Sequence, residues 1–192
     1  MAAAARSCCS LDRRGELEHV SVGAVSFVAM KSAVRTPVQI AWVTAGLDDT
    51  EAALSGLLGA KRWVRLPRVR FGPDTCSYRG EPADFVADIS LSYAGDMQLE
   101  LIAPVSGESI YTEFLREAGP GLHHICIEAD DFAAALADAQ ANGATVVQQG
   151  VMAGGMEFAY VSANQAGVPY LEIAHIPPEI RAFFDYVKQE QQ

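Results

Sequence analysis

The chain is short of cysteine, of positive charge and of long uncharged apolar runs, and each shortage narrows what it can be. Its four cysteines are Cys8, Cys9, Cys76 and Cys126. Two are adjacent and two isolated, which excludes a disulfide framework and a zinc ribbon and suits a reduced, cytoplasmic protein. Basic residues number 14 against 24 acidic ones, a formal net charge of −10. A chain of that sign is repelled by nucleic acid and by anionic membrane surfaces. No charge-free apolar stretch reaches the length of a membrane span. What the chain does have is apolar bulk: 50% of its 192 residues are hydrophobic, enough to bury a core in one domain of ordinary size.

The first thirty-five residues stand apart. An apolar stretch at residues 20–30 resembles the middle of a signal peptide, but Asp12, Glu16 and Glu18 sit where such a peptide needs positive charge. No small-x-small cleavage site follows it. Residues 1–35 read as a poorly ordered extension, or as sequence upstream of a start at Met30.

From there the chain repeats itself once. Gln39-Ile-Ala-Trp-Val-Thr leads through Asp48-Asp49 into an Ala/Leu-rich stretch that ends at Gly59-Ala60. His124-Ile-Cys-Ile-Glu-Ala leads through Asp130-Asp131 into a second such stretch that ends at Gly143-Ala144. Each is a short apolar strand, an acidic helix start, a helix and a glycine stop. The aspartates are placed to accept bonds from free N–H groups at the helix N-termini. Strand-like segments follow at 63–66, 85–93 and 97–102 in the first half, and at 145–149, 158–162 and 170–174 in the second.

Each half therefore reads β-α-β-β-β. The halves span about 37–104 and 120–176, with a short helix near 111–117 between them. The expected fold is α+β: two such modules forming a cupped, barrel-like, eight-stranded mixed sheet with helices outside. A domain over 36–180 and a helical tail over 181–192 complete the expectation.

Alternation along the strands singles out four polar residues. If Leu99 and Leu101 pack under a helix, Glu100 faces the cup, and the same parity sends Gln39, His124 and Glu172 inward. A buried carboxylate is costly unless it is paired or coordinated. Two carboxylates with an imidazole and an amide suit a divalent cation: zinc, cobalt, manganese, nickel or iron. His123 is the competing ligand, but its parity groups it with the helix-facing residues.

The segment Gly121-Leu-His-His-Ile-Cys-Ile-Glu-Ala-Asp130, with Gln98-Leu-Glu-Leu-Ile-Ala-Pro104 before it, resembles the methylmalonyl-CoA epimerase family of the vicinal oxygen chelate superfamily. Glyoxalase I, extradiol dioxygenases and fosfomycin or bleomycin resistance proteins belong to the same superfamily. The resemblance covers about residues 37–176. It implies a metal held by Gln39, Glu100, His124 and Glu172. Epimerases tend to carry histidine where this chain has Gln39, and the Gln, Glu, His, Glu set looks like that of zinc-type glyoxalase I. Aligned without gaps back from Glu100, Asp84 falls where epimerases carry a glutamate base.

The resemblance further implies a substrate whose oxygens meet the metal and a carboxylate that removes the neighbouring proton. Glu172, Glu100 or Asp84 could be that base. Six of the 14 basic residues crowd between Lys61 and Arg79. Arg65, Arg68 and Arg70 among them either bind an anionic substrate, such as an acyl-CoA or a thiol adduct, or form a solvated strand face. Three functions stay open: a metal-dependent epimerase or isomerase, a glyoxalase I-like lyase, and a non-catalytic binding protein of the resistance type. Relatives are commonly homodimers.

Overall fold

The computed structural model describes residues 35–192; the reading of the N-terminal extension lies outside them. The first module runs β1 (Pro37–Val43), α1 (Leu47–Leu58), β2 (Val64–Phe71), β3 (Cys76–Tyr78), β4 (Glu81–Pro82), β5 (Phe85–Ala94) and β6 (Met97–Ser106). A linking helix α2 (Ile110–Ala118) follows. The second module is β7 (Gly121–Glu128), α3 (Phe132–Ala141), β8 (Val146–Val151), β9 (Glu157–Ser162) and β10 (Tyr170–His175). Helix α4 (Pro178–Gln189) begins earlier than the tail expected over 181–192, at a proline suited to a first helical turn.

The strands form one mixed sheet in the order β2-β5-β6-β1-β7-β10-β9-β8-β3-β4, curled into a half-barrel. β1 lies parallel to β6, β7 lies parallel to β10, and β1 meets β7 antiparallel at the centre. The two modules are thus joined along their first strands. Among the described residues the sheet has ten strands rather than the expected eight, because the short β3–β4 hairpin leaves the first module and pairs with β8, the edge strand of the second. Gly150 permits this docking. A Cβ there would lie 2.7 Å from the Thr75 carbonyl oxygen and 2.9 Å from the Phe158 ring.

The two helix starts differ. Asp131 caps α3 by accepting from the Ala134 N–H at 2.9 Å. At α1 the capping position is Gly46, with no side-chain cap, and Asp48 and Asp49 lie inside the first turn. There they face the helix dipole favourably without serving as caps. Both glycine stops hold, with Gly59 and Gly143 at φ of 74° and 86°.

Behind the sheet, α3 covers Ile127, Val161 and Ile173. On the concave side the core is aromatic and spans both modules. Phe71 stacks on Phe85 at 4.5 Å and meets the edge of Phe158 at 5.8 Å. Among the described residues no helix is long and apolar enough to cross a membrane.

Candidate metal centre

Strand register explains how distant residues meet. On the central strand, Ala41 lies between Glu100 of β6 and His124 of β7. One step along, Cys126 lies between Gln39 of β1 and Glu172 of β10. Small side chains at the middle of each row leave space above the sheet, and the longer side chains on either flank lean into it.

Glu100, His124 and Glu172 each present a ligand atom, and the three atoms lie within 4.8 Å of one another. His124 Nε2 is 3.1 Å from a Glu172 oxygen and 3.4 Å from a Glu100 oxygen, yet it makes no well-directed hydrogen bond to either. Gln39 lines the same cavity. Its Nε2 donates to Gln98 Oε1 at 2.6 Å, and Gln98 Nε2 donates in turn to the Tyr93 hydroxyl at 3.0 Å. That chain fixes the amide and leaves Gln39 Oε1 buried without a partner among the described residues. Buried polar atoms seldom go unpaired. Here the unpaired amide oxygen of Gln39 stands beside two carboxylates and an imidazole, so the donors present fit a divalent cation.

The electrostatics agree. Burial raises the Glu100 carboxyl above the usual range, although His124 pulls it the other way. Burial alone would depress the His124 imidazole, but the Glu100 and Glu172 carboxylates outweigh it and raise the group to about 9. A cation in their midst would offset the same crowding of negative charge.

His123 departs from the parity reading. The register of β7 against β1 slips between Ala41 and Trp42, so His123 is the extra residue of a β-bulge. The bulge turns it to the same side as its neighbour. Its ring packs against Tyr111 and Tyr160, which line the cavity. Its Nδ1 lies 2.9 Å from His124 Nδ1. If His124 offers the Nε2 lone pair to a cation, the Nδ1 proton is donated to His123, which fixes the ring. A bulge leaves no periodic signal, which is why the sequence hides this contact. The hydroxyl pair Tyr111–Tyr160, at 2.7 Å, is likewise unsignalled, since α2 and β9 lie far apart in the chain.

Other expected site residues are not brought to the cup. Asp84 is half-exposed and bound through both oxygens by Arg70, at 3.0 and 2.8 Å. It stands just ahead of β5, on the surface, and does not line the cavity. Arg65 turns outward to Asp48 and Glu51 of α1. Arg68 is exposed at a β-bulge, with φ of 53°, its N–H bonded to Asp88. Arg65, Arg68 and Arg70 therefore serve the outer face of β2, and none lines the cavity.

The cavity above the donors has a volume of about 90 Å³. Its walls come from both modules and from α4, through residues such as Leu66, Leu91, Met152, Met156, Phe158 and Phe183.

Comparison with solved structures places the fold. A hypothetical protein of Bacillus halodurans C-125 superposes with a TM-score of 0.55 at 21% identity, over 74% of this chain and 95% of its own. Methylmalonyl-CoA epimerase from Mycobacterium tuberculosis gives 0.54 at 19% identity, over 76% and 91%. A variant of the Streptomyces coelicolor methylmalonyl-CoA epimerase, solved with 2-nitronate-propionyl-CoA, gives 0.50 at 17%, over 74% and 98%. No curated protein matches by sequence. The family model described as the Glyoxalase/Bleomycin resistance protein/Dioxygenase superfamily matches residues 38–160, well over half the chain. With the paired modules and the half-barrel, that match makes the chain a member of this superfamily.

Proposed function

We propose that the chain is a divalent-metal-dependent isomerase that removes a proton from the carbon beside a substrate carbonyl. The observation that carries this reading is the convergence of Glu100, His124 and Glu172 within 4.8 Å at the wall of an apolar cup, with Gln39 Oε1 buried beside them and unpartnered among the described residues. Gln39, Glu100, His124 and Glu172 would hold the cation, which when bound supplies a Lewis acid that makes the C–H next to a carbonyl more acidic.

The protein's own residues do the rest. Glu100 or Glu172 takes the proton. Both carboxylates line the cavity, within reach of a substrate held at the cation. Phe158, Phe183 and the leucines of the cavity wall exclude water and so strengthen every electrostatic contact inside. Tyr111 and Tyr160 hold the adjoining wall through their shared hydroxyl bond. Acyl-CoA thioesters are the substrate class proposed, supported by the epimerase solved with an acyl-CoA ligand.

The donor set favours a second reading, a glyoxalase I-like lyase acting on a thiol adduct, because two carboxylates, one imidazole and one amide match that enzyme's set. Deuterium wash-in separates the two. Zinc- or cobalt-loaded protein in D₂O is expected to exchange the α-hydrogen of at least one short branched acyl-CoA. Glu172→Gln and His124→Ala should each weaken metal binding by roughly 100-fold or more and abolish exchange. Exchange at the normal rate in both variants would remove these residues from the site, and no exchange with any such thioester would favour the lyase.

A further inference from the structure

We propose that the group this cavity admits is an uncharged, alkyl-bearing carbonyl, and that the site discriminates against a substrate bringing a second carboxylate. The inference rests on the metal-site reading above and concerns what else fits there. Two observations carry it. The first is the charge of the donor set. Two glutamates, a neutral histidine and a neutral amide balance a divalent cation fully, so the centre keeps no positive charge for a further anion. The second is the wall. Among the described residues no Lys or Arg lines the cavity, and its polar members are confined to Gln39, the two glutamates and the phenols of Tyr111 and Tyr160.

Among the described residues the nearby cations are already engaged. Arg65, Arg70 and Arg79 pair with carboxylates outside the cavity. Arg181 and Lys188 line a neighbouring cavity that shares Gln39, Met156 and Phe184 with this one, and they pair with Glu128 and Asp96. A carboxylate inside would therefore lose its hydration without gaining a counter-ion, beside two glutamates. A ketone or ester carbonyl carries no such penalty, and its alkyl group would bury against Leu66, Leu91 and Phe183.

Two CoA thioesters test this directly, because they share the carrier and differ at one group. In 2-methyl-3-oxobutanoyl-CoA a methyl ketone stands where methylmalonyl-CoA has a carboxylate. Calorimetric titration of the zinc-loaded full chain is expected to show the ketone binding at least roughly tenfold tighter. Leu66→Arg, which adds a cation at the half-buried edge of the wall, should narrow or invert that preference. Equal or tighter binding of methylmalonyl-CoA by the unsubstituted chain overturns the inference, as does failure of both thioesters to bind zinc-loaded protein. A separate zinc titration isolates the underlying reading: zinc bound with the wrong preference refutes only the substrate class, whereas no zinc binding refutes the metal site as well.

Discussion

Ala41 is fully buried between Glu100 and His124, and its single methyl leaves the room into which both neighbours reach. Ala41→Leu should fill that room. Overpacking of this kind costs roughly 1–3 kcal/mol, which urea unfolding can measure, and the variant should lose zinc binding even where it stays folded. A folded Ala41→Leu protein with undiminished zinc affinity would mean that the donors converge elsewhere. At this scale the sequence is informative wherever alternation is regular. Parity alone puts Gln39, Glu100 and Glu172 on one face, and the structure brings them to one cavity. It misleads at His123, where a bulge breaks the alternation; Asp84, reached by alignment and not by parity, lies on the surface, where Arg70 binds its carboxylate.

Among the elements, the two module helices look equivalent in sequence and differ in how they begin. Asp131 accepts the Ala134 N–H, so Asp131→Ala should cost about 1 kcal/mol. Asp48 bonds no helix N–H; it faces the dipole and pairs with Arg65 while largely exposed, so Asp48→Ala should cost less than about 0.5 kcal/mol. Equilibrium denaturation of the two variants side by side checks the ordering, and equal losses would contradict it. The helices and long strands were legible because each carries a period and a stop signal. β3 and β4 were not. Strands of three and two residues show no period, and their partner strand lies in the other module, a contact that no local pattern encodes. Helix α4 was visible as a helix, but its role in walling the cavity through Ile180, Phe183 and Phe184 depends on tertiary packing alone.

At the scale of the whole molecule, the cup closes where the β3 strand of one module joins the β8 edge of the other, and that closure has an electrostatic fastening. Glu113 of α2 accepts from Arg79 Nη2 at 2.6 Å and from the Tyr78 hydroxyl, tying the hairpin to the linking helix. The bond from Arg79 holds the Glu113 carboxyl below its ordinary range. A depressed folded-state value means that the stabilisation is present above the usual carboxylate pKa and is lost as pH falls through the lower, folded-state value. Arg79 is largely exposed, so water screens the pair and its worth is up to about 1 kcal/mol. Urea midpoints of the unsubstituted chain and of Glu113→Gln should therefore differ at pH 7, with the variant the weaker, and should converge as pH falls through the lowered Glu113 value and the carboxyl becomes neutral. A difference that persists undiminished down to the acid limit of folding would show that the shape of the side chain, and not its charge, fastens the hairpin.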